Sequence, residues 1–171
     1  MLSPDFQKAL NEQLKQEFYS AYLYLAMAAY CESINLSGFG HWLRLQADEE
    51  RAHAMRFYDH IIDRGGQVTL QALPQPPSDF GGPVRVFEQA LAHEQEITSL
   101  IHDLYARASA SQDHASQVFL QSFIAEQVEE ERTAAQILET LRMAGADKTA
   151  LLIVDRELAA RSAIQSAPSG P

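Results

Sequence analysis

Four long runs, each punctuated at both ends, constrain this chain more than any other feature of it. From about Phe6 to Ser33 there is neither glycine nor proline. A second run goes from about Phe39 to Arg64 and stops at Gly65-Gly66. A third starts at Pro83 and continues to about Ala110. A fourth, capped by Ser111 or Asp113, ends before Gly145. Apolar residues recur within these runs at i, i+3, i+4 and i+7, which predicts amphipathic helices. Ser3-Pro4 reads as an N-cap followed by proline at the first helical position. Ser37 reads as the cap of the second helix, and Asp147 as the cap of a short fifth reaching about Ser162. No segment shows the period-two alternation of a strand.

The connections set the topology. Helices one and two, and helices three and four, are joined by short links and should form antiparallel hairpins. Residues 67–82 carry Pro74, Pro76, Pro77, Gly81 and Gly82 and can travel the length of a bundle, so helices two and three can lie parallel. The expectation is all-α: a four-helix bundle with one long crossover between helices two and three and a short fifth C-terminal helix. Residues 1–162 should form this unit, and residues 163–171 a disordered tail.

Composition narrows the partners. Acids outnumber bases 23 to 13, a formal net charge of −10. Such a chain repels nucleic acid and anionic membrane surfaces and concentrates cations. With Cys31 alone, no internal disulfide can form. The N-terminus lacks the basic and apolar regions of a secretory signal, and the most apolar stretch, AYLYLAMAAYC, is too short for a membrane span. A cytoplasmic location is expected.

The chemistry lies in four misplaced glutamates. Glu17 sits in the stripe of Leu10, Leu14, Ala21, Tyr24 and Ala28. Glu50 sits among Leu43, Ala47, Ala54, Phe57 and Ile61. Glu94 is surrounded by Phe87, Ala90, Leu91, Ile97 and Ile101, and Glu130 by Phe123, Ala134, Ile137 and Leu141. Each lies near its helix midpoint, so helices of matched length bring all four to one level. A buried carboxylate without a partner costs several kcal/mol or takes up a proton, at about the scale of a lost charge partner. No lysine or arginine lies on these stripes, which leaves metal as the candidate. Glu50-Arg51-Ala52-His53 is an E-x-x-H that adds an imidazole one turn away. Di-iron carboxylate bundles use a lone Glu from each of two helices and an E-x-x-H from each of the others. Here the fourth helix departs from that scheme with Gln127-x-x-Glu130.

These residues resemble the ferritin family, specifically the bacterial non-haem ferritins, over nearly the whole chain. The resemblance is carried by QEFYSAYLYLAMAAY, ADEERAHA, HEQEIT, EQVEEE and the final DKTALLIVDREL. It implies that Glu17, Glu50 and His53 hold one iron and that Glu50, Glu94 and Glu130 hold the other, with Gln127 as a hydrogen-bonding neighbour. It implies a third iron site at Glu49, Glu126, Glu129 and Glu130; from the residues alone, Glu49, Glu126 and Glu129 read sooner as a solvated acidic face. It makes Tyr24 a phenol that bonds a ligand and supplies an electron, where the residues alone allow an ordinary core tyrosine. Arg51 stands where bacterioferritins carry their haem-binding methionine, so no haem is expected. The implied activity is ferroxidation: Fe(II) and O2 as substrates, and ferric mineral stored inside a homo-oligomeric cage of 24 subunits. The alternatives are a di-iron oxidase acting on an organic substrate and a non-catalytic or DNA-protecting mini-ferritin shell. His41, His60, His93, His102 and His114 match no ligand position and are expected at the surface.

Overall fold

The computed structural model describes residues 2–162. It contains α1 (Pro4–Ser33), α2 (Ser37–Asp63), α3 (Pro83–Ala110), α4 (His114–Ala144) and α5 (Lys148–Ala159), with no strand among the described residues. The fold is all-α, as the punctuation requires. The expected tail lies outside the described residues, and α5 stops three residues short of Ser162.

Local chemistry explains most boundaries. Ser3 caps α1 by accepting from the Phe6 amide at 3.3 Å. Asp113 caps α4, and Asp147 caps α5 by accepting from Thr149 at 2.8 Å and Ala150 at 3.4 Å. Ser111 belongs instead to the end of α3. At the end of α2 the chain turns through Gly65 at φ +68°, and the Gly66 amide returns to the Ile61 carbonyl at 2.8 Å, so the last helical carbonyls are satisfied.

Ser37 does not cap α2. The N-cap is Leu36, whose side chain cannot serve, and the Phe39 amide is met by the Asp155 carboxylate of α5 at 3.1 Å. The cap is tertiary. Gly38 permits it: a Cβ there would fall 1.7 Å from the Asp155 carbonyl oxygen.

The crossover follows α1 from end to end. The Gln67 amide donates to Gln7 at 2.9 Å, the Thr69 amide to Asn11 at 2.6 Å, and the Gln71 side chain to Glu12 at 2.8 Å. It ends with Phe80 buried against Tyr30, ring centroids 5.6 Å apart. Helices α2 and α3 consequently start at the same end, where Trp42 and Phe87 pack 5.4 Å apart. Helix α4 runs back along α2, so Arg64 near the end of α2 pairs with Asp113 at the start of α4 at 2.9 Å.

The apolar interior is split in two. One block gathers Met27, Phe39, Leu43, Phe87, Leu138 and Leu158 at the α5 end. The other gathers Phe6, Leu10, Phe57, Ile101, Leu120 and Phe123 at the far end. Between them, at mid-height, lies a buried polar belt.

Candidate metal centre

Every long helix contributes to that belt. Glu17 lies between Leu14 and Tyr24, Glu50 between Ala47 and Ala54, and Glu94 between Ala90 and Ile97, so each glutamate is at the junction of the two apolar blocks. All three are buried, as are His53 and Gln127. Helix α4 differs from expectation in phase. Its buried line runs Ser116, Leu120, Phe123, Gln127, Ala134, Leu138 and Leu141, which puts Gln127 at the centre and Glu130 on the flank, partly buried.

The donor atoms converge. Oxygens of Glu17 and Glu50 and a ring nitrogen of His53 all lie within 4.8 Å of one another. His53 Nδ1 stands 3.4 Å from Glu50 Oε2, and its Nε2 stands 3.4 Å from Glu126 Oε2. Gln13 donates to Glu17 Oε1 at 2.8 Å, but Glu17 Oε2 is buried with no hydrogen-bond partner. Gln46 donates to both Glu50 Oε1 at 3.0 Å and Glu130 Oε2 at 2.8 Å. Tyr24 donates its hydroxyl to Glu94 Oε1, while Gln127 donates to Glu94 Oε2 at 3.1 Å.

Three other acids of the expected third site are paired with arginines. Glu49 pairs with Arg161 at 2.5 Å, Glu126 with Arg56 at 2.6 Å, and the exposed Glu129 with Arg132. Among the described residues, no lysine or arginine pairs with Glu17, Glu50 or Glu94.

Residues 7–144 match the family described as "Ferritin-like domain". The chain belongs to the ferritin family. It is 40% identical over 162 residues to the bacterial non-heme ferritin of Staphylococcus haemolyticus, covering 95% of this chain and 98% of that protein. It is 39% identical over 161 residues to the bacterial non-heme ferritin of Bacteroides fragilis, covering 94% of this chain and 100% of that one. Among solved structures, it superposes on the novel open pore ferritin from the hyperthermophilic archaeon Archaeoglobus fulgidus with a TM-score of 0.94. That pair shares 47% identity and covers 95% of this chain and all of the other.

In this ferritin fold the belt is electrostatically divided. Burial, and next the Glu50 carboxylate, pushes Glu17 up to about 8. Burial, then Glu50 and Glu130, holds Glu94 well above the usual carboxylate range. Burial, then Glu50 and Glu49, pushes Glu130 up to about 8. Glu50 goes the other way: burial opposes its charge, but contact with His53 outweighs that and lowers it. His53 responds in kind. Burial disfavours imidazolium, yet Glu50, with Glu17 and Glu126 behind it, raises the ring to about 10. Without metal, His53 and Glu50 favour their charged forms as a pair, while Glu17, Glu94 and Glu130 are shifted toward their protonated forms.

Sequence reasoning missed Gln13, Gln46 and His93 in the belt, and His60 near the far end of α2. Gln13 and Gln46 each precede a glutamate by four residues on the same helical face, a spacing that could have flagged both. His93 was expected at the surface; it is buried, bonded to Ser20 at 2.7 Å and edge-on to Tyr19. His60 likewise stacks on Phe119 with centroids 4.0 Å apart.

Proposed function

We propose that this chain is a subunit of an iron-storing ferritin that oxidises Fe(II) with dioxygen inside its own bundle. Glu17 Oε2 carries the reading: a buried carboxylate oxygen with no protein partner, beside donor atoms of Glu50 and His53. Leaving such an atom unpaired is costly. A divalent cation supplies the missing partner, and oxygen donors with one imidazole suit iron.

In this reading Glu17, Glu50 and His53 take one Fe(II), while Glu50, Glu94 and Glu130 take the other, with Gln127 bonding the Glu94 carboxylate. Iron is substrate here. Each Fe(II) gives up one electron, and dioxygen takes the two. Anionic oxygen donors favour Fe(III) over Fe(II) and so drive the oxidation. In this reading the Tyr24 hydroxyl, bonded to Glu94, gives a further electron to the reduced dioxygen and its proton to the Glu94 carboxylate. Glu126 orients His53 through the ring nitrogen that faces away from Glu50. Glu49, Glu126 and Glu129 join Glu130 in a weaker third site. The ferric product leaves the pair and adds to mineral inside a hollow cytoplasmic assembly of 24 copies, with no haem.

The test is stopped-flow Fe(II) oxidation by E50A and H53A. Initial rates should fall by about tenfold or more, since even outer-sphere losses at metal sites cost that much. Light scattering should show an unchanged assembly. Undiminished oxidation in both variants would refute the assignment. An organic oxidation product would favour a substrate oxidase, and a much smaller shell would favour a mini-ferritin.

A further inference from the structure

Glu49, Glu126 and Glu129, the third-site carboxylates that the pair does not share, each already have an arginine. Arg132 on Glu129 is a surface pair, with side chains 56% and 62% exposed. Such pairs yield readily. Arg56 on Glu126 is more enclosed but comes from the helix that carries His53. Arg161 on Glu49 differs from both. It lies beyond the end of α5 and reaches α2 from outside the four-helix bundle, and the two side chains are only 16% and 15% exposed.

Arg161 is also built in. Its guanidinium lies 4.6 Å from the centre of the Trp42 ring, and its carbonyl meets His41 Nε2 at 2.9 Å. One arm bonds Glu49 Oε2 at 2.5 Å. The other donates to Gln46 Oε1 at 3.0 Å. A guanidinium has only donors, so the Gln46 oxygen must face Arg161. The Gln46 nitrogen then faces inward, where it donates to Glu50 and Glu130.

We propose that Arg161 is a tethered counter-cation: it occupies the Glu49 carboxylate, and a third metal ion beside the pair must displace it to bind. The C-terminal segment thereby sets the affinity of the third site and, through Gln46, the posture of two pair-site carboxylates. This rests on the third-site reading above, whose ion shares Glu130 with the pair.

Zn(II) alone, titrated calorimetrically into the assembled protein, separates the two ideas. The first two equivalents per chain report the pair, and the third reports Arg161. In R161Q the third equivalent should tighten by about tenfold, the scale of one charge-assisted hydrogen bond. R161K, which keeps the charge, should return most of the original weakness, and the gain should vanish in E49Q/R161Q. In the unaltered protein, hydrogen exchange at the Ala160 and Arg161 amides should accelerate on the third equivalent and not on the first two. An unchanged third equivalent in R161Q would overturn the proposal, as would a gain that survives loss of Glu49, or no third equivalent in either protein. If R161Q fails to assemble, unaltered exchange at Ala160 and Arg161 on the third equivalent overturns it instead. Loss of the first two equivalents would count against the pair site alone.

Discussion

Glu17 must be charged to hold a metal and neutral to sit in a dry interior without one. The structure resolves this with protons. Its carboxyl is raised from 4.5 to about 8, so the folded chain holds the proton more tightly than the unfolded chain. That contribution to stability is fully present below 4.5 and is lost as pH rises through 8. His53 has the same sign: raised from 6.5 to about 10, it stabilises fully below 6.5 and is lost through 10. Melting temperature measured with chelator should therefore fall between pH 6.5 and 8.5, and E17Q should flatten the fall. A melting temperature that climbs across this window would contradict the assignment. Metal must displace the same protons. The carboxyls of Glu17 and Glu130, raised to about 8, and the His53 imidazolium, raised to about 10, hold about three protons near pH 6.5, and burial shifts Glu94 in the same direction. Calorimetry of Zn(II) binding in buffers of different ionisation heat should count at least about three released protons at pH 6.5, and fewer at pH 9. The glutamates were legible because carboxylates interrupt apolar stripes. Gln13 and Gln46, which donate to Glu17 and Glu50, were less legible, since amides on a helical face raise no comparable alarm.

At the scale of the element, the long helices were legible from their punctuation, and the errors fell where a partner distant in sequence decides. The cap of α2 is Asp155, 116 residues from Phe39, so no local motif could announce it. Asp155→Ala should cost about 1 kcal/mol, the usual loss for an N-cap. Gly38→Ala should cost more, because its Cβ cannot coexist with the Asp155 carbonyl and α5 must shift. Thermal unfolding of both variants checks this; a Gly38→Ala protein as stable as the parent would show that α5 does not dock there. The phase of α4 also escaped the sequence. Ile137 and Leu138 are adjacent and equally apolar, and only packing against the other helices shows that Leu138 is the more deeply buried.

Across the whole molecule, the division of the core is the organising fact. Two apolar blocks close the bundle at either end and bury most of the belt between them, so its carboxylates take up protons or are joined by cations. The crossover makes this possible. Bonded along α1 from Gln7 to Glu12 and buried again at Phe80, it lets α2 and α3 start at one end and brings four midpoints to one level. Its length was legible from prolines and glycines, but its path was not, because side-chain bonds to α1 fix it. Two irons bound between these helices are what the proposed chemistry requires. Crystals loaded anaerobically with Fe(II), measured at the iron absorption edge, test it most directly. Two anomalous peaks within coordination distance of Glu17, Glu50, His53, Glu94 and Glu130 are the expected result. A bundle interior without peaks, its glutamates still protonated and iron only at the surface, would contradict the account.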